Sequence, residues 1–380
     1  MIFISTAADA VVPIIVVFVA AALIALVLTP VIRRIVIRYE VLDQPEERRV
    51  NVVPVPRGGG LAISAAFLLV AGVYLLVNDR ADILSIPVTL EPGDVAALLF
   101  GGAAAAALGA IDDLFDLRAR WQLLGQIALA VGAVAAGVTI DFIANPITGG
   151  LLHFEGVAQY ALTIFWIVGM INSINWIDGL DGLSSGIAFI AAVTLGIISL
   201  TTQVGQPLIA VLCFALAGSL LGFLRWNFYP ATIFSGTSGV QFVGYTLAVL
   251  AILGSAKVAV ALLVLGVPII DTFWIIVRRV SHGRSPFSPD RSHIHHRLLD
   301  LGLSHRATVL VIYGMCVVFA LLGLLLSGVN QLYAFLGVFV AFGLVLIVPT
   351  RGRFLQDLEA RSYLNGHANH APHDEDHESA

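Results

Sequence analysis

Long apolar stretches, broken by short polar segments, run along this chain from about residue 10 to about residue 349. A helix needs roughly 20 apolar residues to cross about 30 Å of hydrocarbon. On that measure spans are predicted at about 10–32, 61–77, 95–111, 123–140, 157–172, 183–201, 207–224, 238–253, 257–277, 308–326 and 331–349. Backbone polar groups in lipid must be satisfied inside helices or a closed barrel, and these runs are too long for barrel strands. The pattern therefore predicts an all-α polytopic membrane protein with about eleven transmembrane helices. The first run has no preceding basic segment and exceeds the roughly 7–15 residues of a signal core, so it is read as a retained helix. Between the predicted fourth and fifth spans, residues 141–156 alternate in polarity around Pro146 and Gly149-Gly150, which predicts a small hairpin.

Composition agrees: 58% of the 380 residues are hydrophobic and 12% charged, where a soluble domain carries about a quarter charged residues. Residues 1–350 are read as one membrane-embedded domain. The polar tail 351–380, with His367, His370, His373 and His377 among acidic residues, is read as disordered, metal binding being the alternative. Cys213 and Cys316 sit within apolar runs, as packed thiols do. The net charge of -5 averages over two membrane faces, so position matters more than sum. An odd number of spans puts the termini on opposite sides. With the N-terminus outside and the C-terminus cytoplasmic, every basic residue except Arg80 and Lys257 falls on inner segments, as the bias of Lys and Arg toward the cytoplasm requires. Two inner segments, 33–60 and 278–307, are long and mix Arg with Pro and Gly; function is expected on such loops.

The chemistry-bearing residues gather on that same face. Asp112 and Asp113 leave the third span at the membrane boundary, and adjacent helical residues point about 100° apart, so one is expected to face a site and the other a partner. A solvated turn paired with Arg118 or Arg120 is the plainer alternative, with Arg120 and Gln126 continuing the face. The stretch Asn172 to Leu183 has no basic residue nearby. If it is helical, Asn172, Asn175, Asp178 and Asp181 share a face, while Gly179 and Gly182 permit a break. Helix capping needs one or two such residues, not four. A polar stripe entering a membrane bundle points to function.

Further on, Asp290 and Arg291 precede His293, His295, His296 and Arg297. His293 and His296 share a face if that segment is helical, and with Arg297 they suit a polyanion such as a diphosphate. Zinc ligation and a plain surface helix are the competing readings, but with carboxylates elsewhere and no cysteine nearby a hard cation fits the whole set better. The segment Arg225 to Gly239 returns to this face with Asn227, Gly236 and Gly239; phosphate-binding turns and ordinary turns fit it equally.

In this order the motifs resemble the polyprenyl-phosphate N-acetylhexosamine-1-phosphate transferases, glycosyltransferase family 4. The resemblance runs from about Arg33 to Leu303. It covers Asp43-Gln44-Pro45, Pro54 to Gly59, Asp112-Asp113 with Gln126, the Asn172 to Leu183 segment, Gly222-Phe223 with Asn227 and Pro230-Ala231, Pro268 with Asp271, Arg278-Arg279, and Pro289 to His296. The form His293-Ile294-His295-His296 resembles the UDP-GlcNAc branch. What the resemblance implies is transfer of a sugar 1-phosphate, GlcNAc-1-phosphate by that branch, from a UDP-sugar to undecaprenyl phosphate with Mg²⁺, Mn²⁺ being the alternative. It implies a bacterial inner-membrane enzyme with its site on the cytoplasmic face, initiating cell-wall or surface-polysaccharide synthesis. The implied partners are the bilayer and the two substrates, with no nucleic acid and with a homodimer left open. By the same analogy Asp112, Asp113, Asp178 and Asp181 are the catalytic set, and Asp113, Asp178 and Asp181 the metal set. Arg57, Arg120, Asn172, Asn175, Asn227, Asp290, Arg291, His293, His295 and His296 are then the substrate contacts.

Three positions depart from the family pattern: Thr237 stands where a metal-binding Asp is usual, Asn51 replaces a His, and Gln122 replaces a second Lys. A hydroxyl is a poorer Mg²⁺ ligand than a carboxylate, which keeps a non-catalytic paralogue in play. A transporter is the third reading, opposed by polar residues gathered at one face instead of the midplane. The enzymatic reading expects Asp112, Asp178 and His293 to line a common cavity.

Overall fold

The computed structural model describes residues 3–44, 53–81, 90–145, 150–201, 204–254, 261–262, 264–281, 283, 293–326, 330, 333–337 and 340. Met1–Phe335 forms one compact unit. Of the second, Leu336–Ala380, three residues are described. The predicted tail 351–380, Asn51, Lys257, Asp290 and Arg291 lie outside the described residues.

The first unit is helical, as the apolar pattern predicts. Its elements are α1 (Phe3–Arg38), α2 (Gly60–Ala81), α3 (Pro92–Ala96), a π-turn (Ala97–Gly101), α4 (Gly102–Phe115), α5 (Ala119–Ala135), α6 (Val157–Ile177), α7 (Leu183–Ser199), α8 (Pro207–Asn227), α9 (Gly236–Leu253), α10 (Gly266–Ser281), α11 (Ile294–Asp300) and α12 (His305–Leu325). Among the described residues seven helical segments are long and apolar enough to cross a membrane: Asp9–Arg38, Gly60–Arg80, Pro92–Phe115, Val157–Ile177, Pro207–Asn227, Gly236–Leu253 and His305–Leu325. Leu183–Ser199 is a shorter apolar helix. The chain is an all-α membrane protein. The span expected at 123–140 is a 17-residue helix shifted toward Arg118. The eleventh predicted span lies mostly outside the described residues. The expected hairpin is present, with β3 (Phe142–Ala144) antiparallel to β4 (Leu151–His153). A second ribbon pairs β1 (Leu42–Asp43) with β2 (Val55–Pro56).

Helices α8 and α9 are the centre of the bundle: 78% and 83% of their most apolar stretches are buried, against 17% for α1. In lipid, apolar surface alone does not drive helices together, so close approach of small residues must. Gly218 and Gly222 of α8 supply it. A Cβ on either would lie 2.2 Å from the Phe18 carbonyl oxygen or 2.1 Å from that of Ala22 on α1. Gly60 and Gly109 likewise bring α2 and α4 against the start of α9, at Gly239 and Ser238. Where the π-turn locally shifts the helical ladder, the Ala97 carbonyl accepts from the Tyr245 hydroxyl of α9 at 2.9 Å.

A leucine at Gly222 must therefore push α1 away from α8. Gly222→Leu is expected to cost about 1–3 kcal/mol, as overpacking does. Gly72→Ala, where a Cβ meets nothing within 4 Å, should stay within about 1 kcal/mol of neutral. Thermal unfolding of both variants in detergent checks the contrast.

Candidate functional site

Four chain segments meet at the end of the bundle where α4, α6 and α8 finish and α9 begins. The loop after β2 is tied to the α8–α9 connection, since Phe234 donates its N–H to the Pro56 carbonyl (2.8 Å) while Gly59 and Gly60 donate to Phe234 and Ser235 (2.9 and 2.8 Å). Arg33 of α1 reaches the Thr232 carbonyl at 2.9 Å. Between these segments lies a cavity of about 330 Å³. Its lining includes Asp43, Arg57, Asp113, Asn175, Asp178, Gly179, Asp181, Asn227, Gly236, Thr237 and His296.

The two adjacent aspartates separate as helical geometry requires. Asp113 lines the cavity, and its carboxylate accepts from the backbone N–H of Thr237 (2.8 Å) and Ser238 (3.0 Å). Those amides belong to the first turn of α9, where unpaired N–H groups and the helix dipole favour an anion. Gly236, at φ +69°, makes room: a Cβ there would sit 2.6 Å from the Asp113 carboxylate. Asp112 instead accepts from Leu117 N–H (2.9 Å) and Gln122 Nε2 (2.7 Å), closing the α4–α5 turn, and does not line the cavity. The ion pair at this turn joins Arg57 to Asp116 at 2.6 Å; the plainer alternative, pairing with Arg118 or Arg120, is not seen among the described residues.

The helical stripe expected from Asn172 to Asp181 is interrupted. Helix α6 stops at Ile177, and Gly182, at φ +79°, turns the chain into α7. Asn175, Asp178 and Asp181 consequently line the cavity, whereas Asn172 points at α5 and donates to Gln126 Oε1 at 2.7 Å. Asp178 is largely enclosed and accepts from the Ser184 hydroxyl and, at 2.6 Å, from that of Ser235. Burial raises its pKa above the ordinary carboxylate range, the two hydroxyls hold it down, and Asp181 pushes it up again. Asp181 accepts from the Ala231 N–H at 2.8 Å, and its own N–H donates to His305 Nε2 at 3.0 Å. Asn227 is fixed between Ser185 Oγ and the Ile233 carbonyl.

The three histidines also part company. His293 precedes α11 and sits against Asp271, so it shares no helical face with His296, which reaches the cavity. His295 is buried behind Gly179, with ring centroids 5.5 Å from His293 and 4.4 Å from His296. Burial, and then the neighbouring rings of His296, His293 and His305, lower its pKa well below that of an ordinary histidine. Arg120 is exposed and lies over the Trp121 ring, away from the cavity. The expected common lining is not met as stated: Asp178 lines the cavity, whereas Asp112 closes the α4–α5 turn and His293 pairs with Asp271, and neither lines it. Ser184, Ser235, His305 and Asp271 support the site without having been singled out as site residues. Of these, Asp271 carried a sequence signal, as part of the Pro268 and Asp271 element of the family resemblance.

Among the described residues, no three His, Cys, Asp or Glu side chains converge as ligands of one metal ion. A carboxylate offers about four lone-pair positions, so Asp113 and Asp178 both retain acceptor capacity beyond their protein donors. Mg²⁺ takes one or two carboxylates together with waters and substrate phosphates. That donor set fits a cation shared with a phosphorylated ligand and not one caged by protein alone.

Comparison with known proteins agrees with this outline. The profile of the family described as glycosyl transferase family 4 matches residues 95–255. A Bacillus subtilis protein named probable undecaprenyl-phosphate N-acetylglucosaminyl 1-phosphate transferase is 35% identical over 345 residues, covering 88% of this chain and 90% of its own. A decaprenyl-phosphate N-acetylglucosaminephosphotransferase from Mycobacterium leprae is 35% identical over 87% of this chain and 88% of its own. An undecaprenyl-phosphate alpha-N-acetylglucosaminyl 1-phosphate transferase from Thermotoga maritima is 31% identical over 86% and 94%.

A buried aspartate with a raised pKa costs stability as pH rises from the ordinary carboxylate value to that raised pKa, where the unfolded chain has already ionised and the folded one still holds its proton. The full cost persists above it. Asp178→Asn is therefore expected to raise the melting temperature by a few degrees at pH 8. The gain should shrink as pH falls toward the ordinary carboxylate range, where Asp178 is itself neutral. Melting curves across pH check both the sign and its disappearance.

Proposed function

This chain belongs to glycosyl transferase family 4, and on that premise we propose that it transfers a sugar 1-phosphate from a UDP-sugar to undecaprenyl phosphate. An oxygen of the lipid phosphate bonds to the β-phosphorus of the donor, the bond from that phosphorus to the bridging oxygen breaks, and UMP leaves. GlcNAc-1-phosphate is the group best supported, since these relatives are named for N-acetylglucosamine. The product is a lipid-linked diphosphosugar of the kind that initiates cell-wall or surface-polysaccharide assembly.

The observation that carries this reading is the cavity itself, where Asp113, Asp178 and Asp181 face Arg57 and His296. Joining two phosphorylated molecules asks for charge neutralisation and in-line positioning more than for a protein nucleophile. A bound Mg²⁺, or Mn²⁺, supplies neutralisation and polarises a phosphoryl oxygen. Asp178, Asp181 and Asp113 are the residues that would hold it. Around that position the protein does the remaining work. Asp113 is fixed by the α9 amides, Asp181 by Ala231, and Asn227 by Ser185, so polar groups face the substrates from prearranged positions. Arg57 offers a permanent positive charge to a phosphate.

An acceptor with a long isoprenoid chain also needs an apolar path. A groove of about 690 Å³ runs between α5, α6 and α10, lined by Ile127, Phe165, Trp166, Met170, Ile269 and Phe273 among others. Helix α6 walls both spaces, with Asn172, Ser173 and Trp176 on the groove and Asn175 on the cavity. The basic residues Arg33 and Arg57 at the cavity end support a cytoplasmic site in the bacterial inner membrane.

Purified protein given undecaprenyl phosphate, Mg²⁺ and a panel of UDP-sugars should release UMP, fastest with UDP-GlcNAc. Asp113→Ala and Asp178→Ala should each lower kcat by about 10²–10³. Release from none of the sugars overturns the reading. Because Thr237 is neutral, free protein should bind Mn²⁺ weakly by electron paramagnetic resonance. Thr237→Asp should tighten that binding by about tenfold, roughly 1.4 kcal/mol.

A further inference from the structure

Asp271 sits in α10 with 1% of its surface exposed, and it lines neither the cavity nor the apolar groove. A carboxylate so placed is costly unless its oxygens are met. Both are met by the histidine segment. Oδ1 accepts from the Ile294 backbone N–H at 2.9 Å, and Oδ2 lies 2.7 Å from His293 Nδ1. A carboxylate in that place accepts, so Nδ1 bears the hydrogen. Ile294 opens α11, whose first amides have no partner inside the helix. One side chain of α10 thus fixes both the last residue before α11 and the first residue within it.

The placement of α11 and its histidines depends on that anchor. His295 is wedged behind the aspartate loop so tightly that a Cβ on Gly179 would lie 2.3 Å from its Nε2. Among the described residues its ring nitrogens have no hydrogen-bond partner, and its ring occupies the space behind Gly179. His296, one residue on, is the histidine that lines the cavity. We propose that Asp271 is a positioning residue: it pins His293 and Ile294 so that α11 delivers His296 to the donor cavity. The three histidines then divide into an anchor (His293), a spacer (His295) and a contact (His296). The consequence for turnover rests on the proposed transfer reaction; the anchoring itself does not.

Hydrogen–deuterium exchange of the full-length protein in detergent reads the anchoring without any reaction. Asp271→Asn should speed exchange of the amides in Ile294–Asp300 by about tenfold, the loss of roughly one charge-assisted hydrogen bond. Amides of α8 and α9 should be unchanged. His293→Ala, which removes one of the two contacts and leaves Asp271 in place, should give a smaller increase at the same amides. In the UMP-release assay Asp271→Asn should lower kcat/KM for the UDP-sugar at least about tenfold. KM for undecaprenyl phosphate should stay within about twofold, and Asp271→Asn combined with His296→Ala should lose little beyond His296→Ala alone. Unchanged exchange in Ile294–Asp300, faster exchange throughout the bundle, or full additivity with His296→Ala would each overturn the proposal. If the unaltered protein releases no UMP, the reaction has failed, and the exchange pattern still decides the role of Asp271.

Discussion

A carboxylate at the edge of a membrane has neither bulk water nor, in this chain, a lysine to neutralise it, and Asp113 is met instead by the opening amides of α9. Much else is arranged around that contact. It ties α4 to α9, the most buried of the candidate spans. It requires glycine at 236, because a side chain there would strike the carboxylate. It also brings the loop after β2 close, since the same position abuts the Gly58 amide. A helix N-terminus generally awaits an anion from solvent or ligand; here the protein provides its own, on a cavity wall.

This arrangement bears on the departure at Thr237. With an aspartate at 237, a second carboxylate would stand beside Asp113, and two such charges need a cation between them. With threonine the local charge is lower, and Asp113 is met by the Thr237 and Ser238 amides, with the Ser238 hydroxyl and the Arg57 charge beside it. The cation in the proposed reaction would then depend more on substrate phosphates and less on protein ligands, in line with the absence of any converging three-ligand set among the described residues. Gln122 obeys the same logic. Where a lysine is usual it donates a neutral N–H to Asp112, keeping the α4–α5 turn closed without adding charge.

Most of the bundle was legible because lipid leaves few options: a long apolar run has to be a helix, and nearly every predicted run with described residues is one. Helical geometry also separated Asp112 from Asp113. Other features were hidden. The stripe from Asn172 to Asp181 could not be followed past Ile177, since two glycines allow a break without fixing where it falls, and Asn172 turned instead to Gln126 of α5. The histidines looked alike at the level of sequence because their roles are set by α10, more than twenty residues upstream, and by Gly179. Ser184 and Ser235 gave no signal at all. A serine in the first turn of a helix, like Ser184, or just before one, like Ser235, is commonplace, and only the folded chain shows that both hydroxyls point at one carboxylate.

The polar cavity and the apolar groove share a single helix as a wall. Toward its C-terminal end α6 presents Trp166, Met170 and Trp176 to the apolar groove and Asn175 to the cavity, and the chain leaves the helix at Asp178. In the proposed reaction a substrate with an anionic head on an apolar tail would meet one element along both its parts, and binding of the tail would set the position of the head. Such coupling is useful only if the groups facing the head do not move. The anchored carboxylates and amides supply that rigidity, at the cost of burying charge, which is why the least stable part of the bundle is expected to be its site.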